Sequence, residues 1–90
     1  MEIEYDDDKR AQTFAHRGLD FRDAPRLFAG TSVTLLDDRR DYGEARWLSY
    51  GWIDGRAVAM VWTQRGKRRR IISMRHCHGE EARDVGLARP

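Results

Sequence analysis

The sequence predicts an α+β fold: two N-terminal helices packed on an antiparallel β-meander of about four strands, with a short C-terminal helix. Three observations predict it. Apolar residues recur at three- and four-residue spacing up to Gly30, and from Ser32 onward they form β-branched, extended runs. Asp54-Gly55 joins two such runs and is a strong two-residue hairpin signal. Ninety residues make one domain, 1–90, burying roughly 60–65% of its unfolded surface, so the helices are the only cover for one sheet face.

Residues 2–5 suit a short strand. Asp6, Asp7 and Asp8 then offer a capping side chain and favourable charge at a helix N-terminus. Ala11, Phe14 and Ala15 give that helix a short apolar stripe through about Arg17, and Gly18 suits the left-handed position that ends it. A second helix follows from near Asp20, with Phe21, Ala24, Leu27 and Phe28 on one face and Gly30 as its stop. Pro25 is tolerated only in a first turn, so this helix either starts nearer Asp23 or is kinked. Ser32–Leu36, Arg46–Ile53, Arg56–Thr63 and Arg69–Cys77 are the strands, with turns at Asp37–Gly43, Asp54-Gly55 and Gln64–Arg68. Glu80–Arg83 closes the chain as a short helix stopped by Gly86. The sheet face away from the helices is then largely open.

Charge is concentrated late in the chain. Between Arg65 and His78 there are six Lys/Arg, two His and no acid, while the remainder sums to −4. A cationic element of this kind attracts a polyanion and steers its approach. RNA recognition adds stacking on aromatic rings, and Trp47, Tyr50, Trp52 and Trp62 lie on the neighbouring strands. Arg65, Lys67, Arg68 and Arg69 fall at a hairpin tip. Arg70 and Arg75 flank Ile71-Ile72-Ser73-Met74 inside the strand, where arginine usually binds a carboxylate or a phosphate. Five residues apart, they face opposite sides of an ideal strand, so both reach one site only if a bulge intervenes.

Cleaving RNA without a metal needs a base for the 2′-hydroxyl, an acid for the leaving oxygen and cations for the phosphorane. His16, His76 and His78 are of the residue type that moves protons near neutral pH, and Glu81, Glu80, Lys9 and Tyr50 are less conventional candidates. Cys77 is alone, so neither an internal disulfide nor metal-binding spacing exists, and no metal or cofactor is expected. No run approaches the ~18 apolar residues of a membrane span, and the acidic N-terminus is no signal peptide, so the chain reads as cytosolic. A nucleic-acid-binding or partner-binding module without catalysis carries the same charge pattern and stays open as the alternative.

The residues also resemble a known family. Glu4-Tyr5-Asp6, Lys9, His16-Arg17-Gly18-Leu19-Asp20-Phe21, Ala24 and Phe28 resemble the opening of BrnT-type toxins. Arg46, Gly51, Val61-Trp62-Thr63, Arg70-Ile71-Ile72-Ser73-Met74-Arg75 and Glu81 resemble the later motifs of that family, in the same order. The resemblance implies the toxin of a type II toxin–antitoxin pair, with a RelE-like fold and a metal-independent endoribonuclease activity that inhibits translation. It implies a small BrnA-type, DNA-binding antitoxin as partner, with operator DNA reached only through that antitoxin. Carried to matching positions, it implies that Arg70 and Arg75 bind the scissile phosphate, that Arg46 and Glu81 complete the site, and that Lys9 adds charge. The sequence departs from the family pattern at His16-Arg17, where the family's turn histidine falls on Arg17. It also departs at His76-Cys77 and at Val85, and His76 becomes a substitute candidate for proton transfer. Lys67, Arg68 and Arg69 complete the set as RNA-attracting residues.

Overall fold

Helical and extended periods separate in space as they do in sequence: a computed structural model describing residues 1–90 is an α+β molecule built on one five-stranded sheet. The elements are β1 (Glu2–Glu4), α1 (Asp7–Arg17), a 3-10 turn (Phe21–Asp23), α2 (Ala24–Ala29), β2 (Ser32–Leu36), β3 (Trp47–Ile53), β4 (Arg56–Arg65), β5 (Arg68–His76) and α3 (Glu81–Asp84). The strand order is β1-β5-β4-β3-β2. No helix is long and apolar enough to cross a membrane.

The sheet differs from a four-stranded antiparallel meander in one respect. β1 adds a fifth strand that runs parallel to β5, with Glu2, Ile3 and Glu4 opposite Arg68, Arg69 and Arg70. Its alternation explains the choice: Ile3 turns inward to pack on the core, while the two glutamates turn outward beside arginines. A three-residue strand carries too little local signal to show its partner, which lies at the other end of the chain. The tight turns do follow local chemistry. Asp54 (φ 51°) and Gly55 (φ 77°) both adopt left-handed backbone in the two-residue β3–β4 hairpin, as a primed turn requires. The β4–β5 turn is shorter than Gln64–Arg68, because the strands continue to Arg65 and restart at Arg68.

The helices divide their work unequally. In α1, Asp6 accepts from the Lys9 backbone N–H at 2.9 Å, and Gly18 (φ 69°) ends the helix by donating to the Phe14 carbonyl. Its apolar stripe does not enter the core: Ala11 and Ala15 are exposed, as is Phe14 at 54%. The polar side of α1 lies instead along β5 beyond Arg70, where that strand has lost its β1 partner. There the Arg17 guanidinium donates to the Met74 carbonyl at 2.6 Å, so the helix satisfies an otherwise open edge. α2 covers the sheet face. It begins after Asp23, which places Pro25 in its first turn, and Phe21, Ala24 and Leu27 are buried against Val58, Met60, Trp62, Ile71 and Met74.

Two details fix that packing. A Cβ at Gly51 would stand 2.7 Å from the Leu27 Cγ, so only glycine admits α2 so close to β3. Across the strands, Thr34 and Ser49 share a hydroxyl hydrogen bond, and the Trp62 indole N–H donates to Ser49 at 2.8 Å. The opposite face is less open than the sequence suggests. Tyr50, Ala59 and Leu87 are buried together there, and the Trp52 indole donates to the Ala88 carbonyl at 2.8 Å. The C-terminal segment covers one end of that face, because its apolar Val85 and Leu87 have no other surface to bury against.

Candidate functional site

The geometry of β5 turns on one irregularity. Register between β4 and β5 shifts between Val61, opposite Ser73, and Trp62, opposite Ile71, so Ile72 is an extra residue and forms a bulge. Arg70 then opposes Thr63 and Arg75 opposes Ala59. Thr63 and Ala59 are an even number of residues apart, so both arginines stand on the face away from α2. The bulge that their spacing called for is present. Their backbones are separated by four β4 positions, about 13 Å at the usual ~3.3 Å rise, a gap that two arginine side chains can narrow but not close.

Arg75 is the most firmly held of the arginines on this face. Its Nη1 and Nη2 each donate at 2.7 Å to a different oxygen of Glu81, a two-pronged contact with a first-turn residue of α3. The Glu81 carboxylate also accepts from the His78 backbone N–H at 3.0 Å. Hydrogen bonding from Arg75, opposed by burial, lowers the Glu81 carboxyl to about 2. Glu81 is therefore a weak base and a strong clamp for the guanidinium. Around the pair, burial first and the negative Glu81 second raise the Tyr50 phenol, so it stays protonated at neutral pH. The same two causes push Cys77 up to about 11, which makes it an inert thiol.

The other sequence candidates are distributed as follows. Arg46 precedes Trp47 on β3, so alternation puts it on the Arg70–Arg75 face; its guanidinium lies 4.2 Å from the Tyr42 ring centre and donates to Glu44 at 3.2 Å. Arg70 donates to Glu4 at 2.8 Å. Arg68 lies 3.8 Å from Glu2 on the same face, and Lys67 is exposed in the turn. Arg69 is on the other side of the sheet, stacked over Phe28 and Trp62 at 4.4 and 4.5 Å, where it covers core aromatics. His76 also faces the helices. Its Nε2 lies 3.1 Å from the Arg17 carbonyl and must donate to it, while its buried Nδ1 has no partner. The ring is thus on the opposite side of β5 from Arg75. Lys9 stands on α1 with no ion-pair partner, outside this face.

Two features escaped the sequence reading. Asp37, buried at 5% exposure, accepts from Arg39 through both oxygens at 2.7 and 2.8 Å and pins the loop beside Arg46. An Asp-Asp-Arg-Arg run gave no hint of which acid would turn inward. The other is the polar face of α1, at positions 9, 12, 13, 16 and 17, whose helical spacing is a signal in the sequence but whose place against β5 is not. No three His, Cys, Asp or Glu side chains come together in a way that could hold a metal ion.

A comparison with curated proteins finds none that matches the chain. The family model described as "Ribonuclease toxin, BrnT, of type II toxin-antitoxin system" does match, over residues 5–81. That span runs from the β1–α1 junction through β2, β3, β4 and β5 to Glu81, the clamp on Arg75. The chain therefore belongs to the BrnT family of ribonuclease toxins of type II toxin–antitoxin systems.

Proposed function

We propose that this toxin is a metal-independent, RelE-like endoribonuclease that binds single-stranded RNA on the sheet face of Arg46, Arg70 and Arg75, and arrests translation in the cytoplasm. One observation carries the reading: the bulge at Ile72 turns Arg70 to the face of Arg75, so two cations inside a rigid strand point at one surface. Arg75 neutralises the scissile phosphate as the 2′-oxygen attacks phosphorus and the bond to the 5′-oxygen breaks. Water takes the 2′-proton and returns one to the leaving 5′-oxygen, while Arg70 and Arg46, in the row opposite Thr63, hold a neighbouring phosphate. Glu81 keeps the Arg75 fork aimed, and Tyr50, protonated by burial, is a hydrogen-bond donor beside it. Lys67 and Arg68 attract the chain along the hairpin. A BrnA-type antitoxin with a DNA-binding domain neutralises the toxin and alone connects it to operator DNA.

Arg75→Ala tests this directly. Induced without the antitoxin, the native toxin is expected to stop growth and degrade RNA, while Arg75→Ala loses both effects yet still binds the antitoxin. Full toxicity of the Arg75→Ala protein would refute the assignment. A second reading, binding without cleavage, is favoured by the carboxylates already seated on the three arginines: Glu44 on Arg46, Glu4 on Arg70 and Glu81 on Arg75. Under it, purified protein retards RNA on a gel and leaves it intact.

A further inference from the structure

Most cations in this molecule lie beside an acid, but Lys9 and Arg17 of α1 do not. α1 lies against the unpaired stretch of β5, and between them is a cleft of about 290 Å³. Lys9, Gln12, Thr13, His16 and Arg17 line it from the helix, at positions that fall on one helical face. Ser73 closes it from the strand, and Ile72 is its single apolar wall. Lys9 and His16 make no ion pair, and the side chains of Lys9, Gln12, Thr13, His16 and Ser73 donate no hydrogen bond within the protein. Arg17 spends Nη1 on the Met74 carbonyl, which fixes the guanidinium and leaves its other donors free. No carboxylate lines the cleft.

We infer that this cleft is a second anion subsite, which takes a phosphate of the same single-stranded RNA one step along the chain from the phosphate held on the open face. The inference rests on the proposed RNA site and extends it. The β5 bulge joins the two places: Ile72 and Ser73 line the cleft, and Arg70 and Arg75 flank them in sequence on the open face. A strand crossing the β5 edge at the bulge leaves one set of cations and meets the other. The lining is nearly all hydrogen-bond donors, which matches phosphate oxygens. It offers one apolar side chain, too little for a docked peptide that must bury apolar residues. Single-stranded RNA is thus favoured over an acidic protein segment.

The test uses the full chain and an eight-nucleotide RNA whose 2′-oxygens are methylated, so that it binds but cannot be cut. Lys9→Glu and the double variant Lys9→Ala/His16→Ala alter exposed side chains, and an unchanged denaturation midpoint establishes that they fold. Each is expected to bind about tenfold more weakly, with a salt slope shallower by roughly 0.7 for the lost phosphate. Arg56→Ala, which removes an exposed cation elsewhere, should leave the slope unchanged. Cleft variants that bind like the unmodified protein overturn the subsite while leaving the proposed ribonuclease intact. An equal loss in Arg56→Ala also overturns it, since net charge would then be the cause. Normal RNA binding with loss of the antitoxin would reassign the cleft to an acidic protein segment. An unmodified protein that binds no RNA overturns both the subsite and the proposed function.

Discussion

Arg75 and Glu81 set each other's charge. The carboxyl lies at about 2 in the folded protein against an ordinary 4.5, chiefly because Arg75 donates to both of its oxygens. A group with a lowered folded value stabilises the fold above its unfolded value and loses that contribution as pH falls toward the folded one. Glu81 therefore contributes fully above about pH 4.5 and progressively less down to about pH 2. Urea midpoints of the native protein and Glu81→Gln should differ most at pH 6 and converge toward pH 2. A constant gap across that range would show that the ion pair adds nothing. Arg75 also shows the limit of counting cations: Arg69 lies in the same basic run, yet its guanidinium covers Phe28 and Trp62 on the other side of the sheet.

At the level of elements, the contact between α2 and β3 depends on a missing side chain. Adding a methyl at Gly51 would place it 2.7 Å from the Leu27 Cγ and 3.3 Å from the Leu27 carbonyl oxygen. The side chain can yield but the backbone oxygen belongs to a helix anchored on the sheet by buried Ala24 and Leu27, so Gly51→Ala should destabilise by about 1–3 kcal/mol. Denaturant unfolding measures it. Combining Gly51→Ala with Leu27→Ala should cost less than the sum of the two, because the crowded atom is then gone. Strict additivity would mean that the two residues do not meet. Element boundaries were largely legible because their signals are local: Asp6 and Gly18 bound α1, Asp54-Gly55 turns the chain, and Pro25 forces α2 to begin late. The role of α1 was not legible. Its Phe14 suggested a buried stripe, but an unpaired strand edge needed polar partners more than the core needed one ring.

For the whole molecule, the sheet separates two functions. One face carries the core under α2; the other carries Arg46, Arg70 and Arg75, with its far end covered by the C-terminal segment. Three arginines and the cleft together would engage three to four phosphates, which at ~0.7 per phosphate of a single strand predicts a log–log salt slope of about −2 to −3 for RNA binding. A titration series across 50–200 mM salt measures it. A slope near zero would contradict an electrostatic track and favour stacking alone.

The sequence by itself determined the α+β class, the helix caps, the hairpins and the basic strand, since each depends on residues within a few positions of one another. It also set the condition that Arg70 and Arg75 need a bulge to share a face. Only the tertiary structure decided where that bulge falls, that Glu4 would reach Arg70 from 66 residues away, and that the Arg17 carbonyl would meet His76 on the helix side of the sheet. The physical reason is the same in each case. Strand pairing and edge satisfaction are settled by the free energy of distant groups brought together, and no short stretch of the chain carries that information.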